Sequence, residues 1–237
     1  MDSYNSIAII TGASTGIGRS LSIELARRKF QLILISRNQE KLLNTERKIK
    51  DIGGKCLSVI ADVSKESSMD EIYSKIINPE KVDLIINNAG IGIFDKIQNI
   101  KISDWDTQMN TNLRSSFLMT KMIINDMIKK KSGKIVFINS VAGLKPYLHS
   151  SAYVASKYAL RGFASSLREE LREYNIKVVS VFPGAIDTPF WDNVDVDFSR
   201  DEMMKSDDVA ESIINSILAK NNVVNEEIVI RRTAGDF

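Results

Sequence analysis

The sequence predicts a single α/β domain, residues 1–237, in which a doubly wound parallel seven-stranded sheet carries helices on both faces. Three observations predict it. Short apolar, β-branched runs alternate with longer segments of helical periodicity; those runs are apolar on both faces; and no Pro-, Gly- or Ser-rich linker or break in composition divides the chain. Apolar runs separated by helices imply a parallel sheet covered on both sides, because right-handed crossovers put helices on each face. Such folds bind ligands at the carboxyl ends of their strands, where strand order reverses, so chemistry should sit just after strands.

The first strand is "IAIIT" (7 to 11), followed by a helix from 16 to 28. Between them "TGASTGIGRS" sets Gly12, Gly16 and Gly18 at the turn, with G-x-x-x-G-x-G spacing. Glycines there permit a tight turn and close backbone approach, and the helix N-terminus offers free N–H groups to an anion such as a pyrophosphate. The stretch is a near miss to the G-x-x-x-x-G-K-[ST] loop, but Ala13 and Arg19 replace its first Gly and its Lys, which excludes a nucleoside triphosphatase. The second strand, "LILIS" (32 to 36), runs into "ISRN" and a helix from 38 to 51. A carboxylate at this place would take the ribose 2′-OH of NAD; Ser36 and Arg37 instead suit the 2′-phosphate of NADP, so NADP(H) is favoured over NAD(H).

The third strand, "CLSVIA" (56 to 61), precedes a helix from 66 to 77. It reads as buried, with Cys56 as a small core residue that has no second cysteine to pair with. It ends in Asp62 and Val63, where two readings of Asp62 stand level: the edge of an adenine site, or a helix cap, which Ser64 supplies better. The fourth strand, "DLIIN" (83 to 87), ends in "NNAG": small Ala89 and Gly90 admit a ligand, and the Asn87 and Asn88 side chains can tie adjacent loops. In the helix after it, 104 to 129, a polar cluster in "MNTNLRSS" around Asn112 interrupts the periodicity, and Lys129, Lys130 and Lys131 read as its solvated end.

The fifth strand, "KIVFIN" (134 to 139), places Ser140 just past its end, before a helix from 152 to 173. That helix carries Tyr153 and Lys157, which share one face at i and i+4, with small Ala152, Ala155, Ser156 and Ala159 around them. A phenol with a pKa of about 10 becomes a useful acid or base when its anion is stabilised, and a neighbouring ammonium does that. Alone, the pair reads as a half-buried Tyr and an exposed Lys; Ser140 and Asn112 change its meaning. The sixth strand, "KVVSVF" (177 to 182), ends in Pro183 and Gly184 followed by "AIDTP" with Thr188, then a helix from 207 to 220 and the last strand, "EIVI" (227 to 230).

Taken together, "TGASTGIG", "NNAG", Asn112, Ser140, Tyr153-x-x-x-Lys157 and "PGAIDT" resemble the short-chain dehydrogenase/reductase family of compact Rossmann-fold oxidoreductases, in order from Ile7 to about Thr188. The resemblance implies reversible hydride transfer between a nicotinamide and a small carbonyl or alcohol. Tyr153 would then be the general acid, Lys157 would lower its pKa and hold the nicotinamide ribose, Ser140 would hold the substrate oxygen, and Asn112 would anchor a water through a kinked helix. Gly12, Ser14, Thr15, Gly16, Ile17 and Gly18 would wrap the phosphates and adenosine ribose. Asp62 and Val63 would take the adenine, Asn88, Ala89 and Gly90 the ribose region, and Ile186 and Thr188, after Pro183 and Gly184, the carboxamide. Members that use NADP often have a basic residue just before Gly16; this chain has Thr15, leaving Arg37 nearly alone at the 2′-phosphate.

Substrate choice falls to two short loops, about 141–150 and 185–205; the second carries Phe190, Trp191 and Phe198 and suits a modest apolar substrate, while His149 in the first reads as solvated. The resemblance implies a homodimer or homotetramer. With 32 basic and 30 acidic residues scattered along the chain, nothing argues for nucleic acid or an anionic membrane. The apolar runs fall short of the roughly 20 residues that cross a bilayer, and "MDSYNSIAIITG" has no basic start or cleavage pattern, so a cytoplasmic protein is expected. A catalytically silent dinucleotide-binding sensor or scaffold is the alternative function; such proteins lose Tyr, Lys or Ser, and all three stand here.

Overall fold

The computed structural model describes residues 6–192, 194, 199–219 and 222–235. In chain order its principal elements are β1 (Ile7–Thr11), α1 (Gly16–Arg27), β2 (Gln31–Ser36), α2 (Gln39–Asp51), β3 (Lys55–Ile60), α3 (Met69–Ser74), β4 (Val82–Asn87), α4 (Ile102–Met109), α5 (Ser115–Lys130), β5 (Gly133–Ile138), α6 (Ser151–Leu171), β6 (Ile176–Pro183), β7 (Ile186–Asp187), β8 (Met204–Lys205), α7 (Ser206–Ile217) and β9 (Glu227–Ile230). Seven of the strands form one parallel sheet in the order β3-β2-β1-β4-β5-β6-β9. Strand order reverses between β1 and β4, so the crevice opens at their carboxyl ends.

Period-two alternation along doubly buried strands divides the apolar side chains between two cores. Ile7 and Ile9 of β1 face the side packed by α5 and α6, through Leu118, Ile123, Leu160 and Ala164. Ala8 and Ile10 face the side packed by α1, α2 and α7, through Leu21, Leu25, Leu42 and Ile213. Both faces are needed: each fully buried aliphatic side chain contributes about 1.5–3 kcal/mol. The last strand is drawn in by a buried cation, since Arg168 of α6 donates to the Val178 and Glu226 carbonyls, both at 3.0 Å.

Several details depart from the sequence reading. The expected helix at 66–77 shortens to α3 after a 3₁₀ turn at Glu66–Ser68; neither Asp62 nor Ser64 caps it, for the turn's cap residue is Lys65 and Ser68 precedes α3 with no side-chain bond. The single helix expected at 104–129 is two, joined by a π turn at Asn110–Arg114, where the Ser115 N–H reaches five residues back to the Asn110 carbonyl. The polar cluster explains the widening: the hydroxyls of Ser115 and Ser116 bond to the Thr111 and Asn112 carbonyls at 2.6 and 3.5 Å. β3 is an edge strand, so Leu57 and Ile60 are exposed and Cys56 is only half-buried. Lys130 is more than a solvated terminus, because its ammonium donates to the Val82 carbonyl and pairs with Asp83 at 2.7 Å. A small second sheet, β7 with β8, comes after β6.

Phe137, fully buried on β5 against Phe163, tests the α5–α6 side of the core. Phe137→Ala is expected to cost about 3–5 kcal/mol of folding free energy, read from urea denaturation at constant slope.

Candidate active site

The site is built by the turns at the carboxyl ends of the strands, and the seam between β1 and β4 sets its floor. The Thr11 hydroxyl accepts from the N–H groups of Asn88 and Ala89, both at 3.0 Å. The Asn88 amide donates back to the Thr11 and Gly12 carbonyls at 3.0 and 3.2 Å. Helix α1 then starts at Gly16, whose φ of +52° favours glycine; a Cβ there would lie 3.0 Å from Thr188. Gly18 packs so closely that a Cβ would overlap the Gly12 carbonyl oxygen.

Above this floor lies a cavity of about 760 Å³. Most of the residues singled out in the sequence line it, from Gly12, Ser14, Thr15, Gly16 and Ile17 through Ser36, Arg37, Asp62, Val63 and Asn88 to Gly90, on to Ser140, Tyr153, Lys157, Pro183, Gly184, Ile186 and Thr188. Gly18 and Asn112 do not line it; they stand one layer behind. At one end, Ser36 donates to the Ser14 hydroxyl at 2.9 Å and the guanidinium of Arg37 is exposed on the rim. Asp62 accepts from the Ser64 N–H and hydroxyl at 3.1 and 2.7 Å. Burial alone would raise its pKa, but the Ser64 hydrogen bonds and the Arg37 charge more than reverse that and hold the carboxyl below its usual range.

At the other end, α6 presents Tyr153 and Lys157, which are 9% and 4% exposed. The Lys157 ammonium donates to the Ile138 carbonyl at 3.1 Å and stands 5.7 Å from the Tyr153 ring centre. Ser140 begins a 3₁₀ turn, its oxygen accepting from the Ala142 N–H at 3.1 Å, so its own proton is free for the phenol. Against the expected lowering of the Tyr153 pKa by Lys157 stands the burial of both groups. Burial pushes Tyr153 up to about 12, with the Ser140 hydrogen bond pulling the other way. Burial also pushes Lys157 down to about 8, so the ammonium that should favour the phenolate is itself disfavoured.

Asn112 is fully occupied. Its oxygen accepts from the Ile91 N–H at 2.8 Å, and its amide donates to the Ile91 carbonyl and the Ser156 hydroxyl, both at 2.9 Å. A Cβ on Gly90 would meet this oxygen at 3.3 Å and the Lys157 nitrogen at 3.7 Å, so Asn112 and Lys157 flank Gly90.

Sequence reasoning missed two residues here. Gln108, fully buried one turn before Asn112, accepts from the Ile93 N–H at 3.0 Å. Phe94 packs edge-on to Tyr153 with ring centres 5.2 Å apart and forms an aromatic wall with Phe190 and Trp191. The glycines at 90 and 92 were the available signal, since a Cβ on Gly92 would collide with both Phe94 and Phe190. Phe190 lies 5.9 Å from the Tyr153 ring; Phe198 lies outside the described residues. His149, exposed with φ +56°, sits at the mouth. Among the described residues no helix is long and apolar enough to cross a membrane, and no cluster of His, Cys, Asp or Glu could hold a metal.

Comparison with known proteins locates this arrangement. The sequence profile of the short chain dehydrogenase family matches residues 6–197. A sepiapterin reductase of Chlorobaculum tepidum is 35% identical over 239 residues, covering 98% of each chain. A metagenomic short-chain oxidoreductase crystallised with NADP is 29% identical with a TM-score of 0.84, over 98% of this chain and 99% of its own. An alcohol dehydrogenase from the archaeon Thermococcus sibiricus, complexed with 5-hydroxy-NADP, shares the fold: TM-score 0.88, 24% identity, 96% and 97% covered.

Burial of Lys157 makes stability depend on pH. An unfolded Lys keeps its proton to about pH 10.4, whereas the folded one loses it near pH 8. Between those values the unfolded state binds more protons, so this group makes stability rise with pH across that window. Lys157→Met should abolish that rise and stabilise the protein at neutral pH by about 1–3 kcal/mol, measured by denaturation across pH 7–10.

Proposed function

Because the chain belongs to the short-chain dehydrogenase family, and is an oxidoreductase on that ground, we propose that it is an NADP(H)-dependent reductase of small carbonyl compounds with Tyr153 as its general acid. The observation that carries the assignment is the placement of the phenol at the cavity wall beside Ser140 and Lys157. Buried, pushed up to about 12 and in reach of the Ser140 hydroxyl, Tyr153 stays protonated at neutral pH and can give its proton to a carbonyl oxygen. An ordinary phenol already keeps its proton at neutral pH; burial makes it a weaker acid, so easing the proton toward the reacting oxygen falls to the Ser140 hydrogen bond and the nearby Lys157 ammonium.

The residues present fit the dinucleotide. The α1 N-terminus, opened by the positive φ of Gly12 and Gly16, offers unpaired N–H groups for a pyrophosphate. Arg37, exposed on the rim beside Ser36, offers the 2′-phosphate a cation. Asp62, Val63, Ile186 and Thr188 line the same cavity; the first two would take the adenine and the last two the nicotinamide end. When bound, NADPH supplies a hydride to the carbonyl carbon. Ser140 would orient the carbonyl oxygen toward Tyr153. Lys157 would hold a ribose hydroxyl and, while charged, ease departure of the phenol proton. Asn112 would hold Gly90 in place through Ile91 and lend the π turn's carbonyls to a water behind Lys157.

Phe94, Phe190 and Trp191 give the site one apolar wall, which suits a compact ketone with a flat or apolar face. The relative at 35% identity makes pteridine-type ketones the first compounds to try, beside diketones and 3-oxoacyl thioesters. Self-association through α5 and α6 belongs to the same proposal, supported by exposed Phe117 and Tyr158.

The decisive experiment follows NADPH consumption on such a panel with the wild type and Tyr153→Phe. The variant is expected to lose about 10²–10⁴-fold in kcat while binding NADPH as tightly by calorimetry; retained turnover would refute the assignment. Arg37→Asp should weaken NADPH binding by at least about tenfold, roughly 1.4 kcal/mol, and reverse the preference toward NADH; an unchanged ratio would remove Arg37 from the 2′-phosphate site.

A further inference from the structure

We propose that Arg200 is a positioning residue for the carbonyl site, clamping from both ends the turn that carries Phe190 and Trp191 beside the Tyr153 phenol. The clamp is one guanidinium spread over three acceptors. Its Nε donates to the Asp187 carboxylate at 2.8 Å, one terminal nitrogen to the Asp192 carboxylate at 2.8 Å, and the other to the Thr188 carbonyl at 2.8 Å. Those acceptors bracket the 3₁₀ turn Pro189–Trp191: Thr188 is its first cap and Asp192 its last.

The chemistry explains why this position takes an arginine. Asp187 and Asp192 are like charges at the two ends of one short turn, and a cation bonded to both ties those ends to one point. A planar fork reaches three acceptors in fixed directions, which the point charge of a lysine cannot do. The side chain is 41% exposed, so each ion pair alone contributes little to global stability. What the fork supplies is direction. Trp191 is fixed from the other side by its indole N–H, which donates to the Ile186 carbonyl at 3.0 Å. Phe190 then meets both Tyr153 and Phe94, with ring centres 5.9 and 6.0 Å away. Thr188, held through its carbonyl, is also the residue packed against Gly16. A single exposed arginine therefore sets the apolar wall against which a carbonyl would lie, without touching substrate or cofactor.

The kinetic consequence rests on the reductase reading above; the conformational one does not. The chain has two tryptophans, so a Trp105→Phe background leaves Trp191 as the sole reporter. In that background Arg200→Ala is expected to raise the acrylamide quenching constant of Trp191 about twofold or more. It should also raise the carbonyl KM about tenfold, with kcat and NADPH affinity each within about threefold of wild type, a split that loss of fold would not produce. Arg200→Lys should fall between wild type and Arg200→Ala in both measurements, and it decides the matter should the alanine variant fail to fold. Quenching equal to wild type in Arg200→Ala, or a lysine variant indistinguishable from wild type in quenching and KM, overturns the clamp. Failure to turn over any carbonyl counts against the reductase reading alone, and the quenching result still decides the clamp.

Discussion

The hydrogen-bonded seam between the carboxyl ends of β1 and β4 is the constraint on which the rest of the site depends. At that reversal of strand order two chain segments leave the sheet in opposite directions, and the backbone groups facing the gap have lost their ladder partners. The Thr11 hydroxyl and the Asn88 amide fill those vacancies. With the gap bridged, the Gly12 carbonyl is fixed, Gly18 can pack on it, and α1 begins at a defined height and angle. Asn88, read in the sequence as a ribose contact, has both amide hydrogens committed to this seam. Its nearness to the cavity and its structural work are one fact.

A second constraint is the cost of burial at Tyr153 and Lys157. A buried ammonium with one carbonyl partner is a poor way to stabilise a fold, and a buried phenol is a weaker acid than a solvated one. Both conditions disfavour charge, so the free site rests with the phenol protonated and the lysine easily discharged. Sequence reasoning assigns Lys157 the dominant influence on Tyr153 because it counts the charge and not the desolvation. The i, i+4 spacing is legible, while depth beneath Phe94 and Phe190 depends on loops that no local pattern describes.

The same division holds elsewhere. All seven strands of the main sheet could be read: the five interior ones leave buried apolar runs, and the edge strands β3 and β9 show in "CLSVIA" and "EIVI". What could not be read was the sheet's edge: β3 carries the composition of an interior strand, and only its neighbours decide that Leu57 and Ile60 meet solvent. The polar stretch around Asn112 announced an irregularity, but its form, a π turn, depends on where Ser115 and Ser116 send their hydroxyls. Glycine and short polar side chains mark any turn after a strand, so the cavity residues after β1, β2, β4, β5 and β6 were legible only through the order and spacing in which they recur along the chain. Arg200 was not, since an arginine in a charged loop looks like any solvated one until Asp187 and Asp192 are seen on either side of it.

Gln108 shows how an inconspicuous residue enters the site through a match of two periods. Gln108 and Asn112 are four apart along α4 and its π turn, and they hold the N–H groups of Ile93 and Ile91, which are two apart. Four helical residues rise about 6 Å and two extended residues about 6.6 Å, so a helix can grip alternate residues of an extended strand much as a neighbouring strand would. The stretch after β4 has no strand on that side, and the two amides take that strand's place. Gly90, Gly92 and Phe94 then lie against the site: a Cβ on Gly90 would come 3.7 Å from the Lys157 nitrogen, one on Gly92 would meet Phe190, and Phe94 packs on Tyr153. Glycine at 90 and 92 leaves room where a Cβ would press on Asn112 or the aromatic rings, and Phe94 fills the last position. The stretch Gly90-Ile91-Gly92-Ile93-Phe94 is thus tied to the helix by two backbone N–H groups, and it ends with one aromatic ring against that of Tyr153.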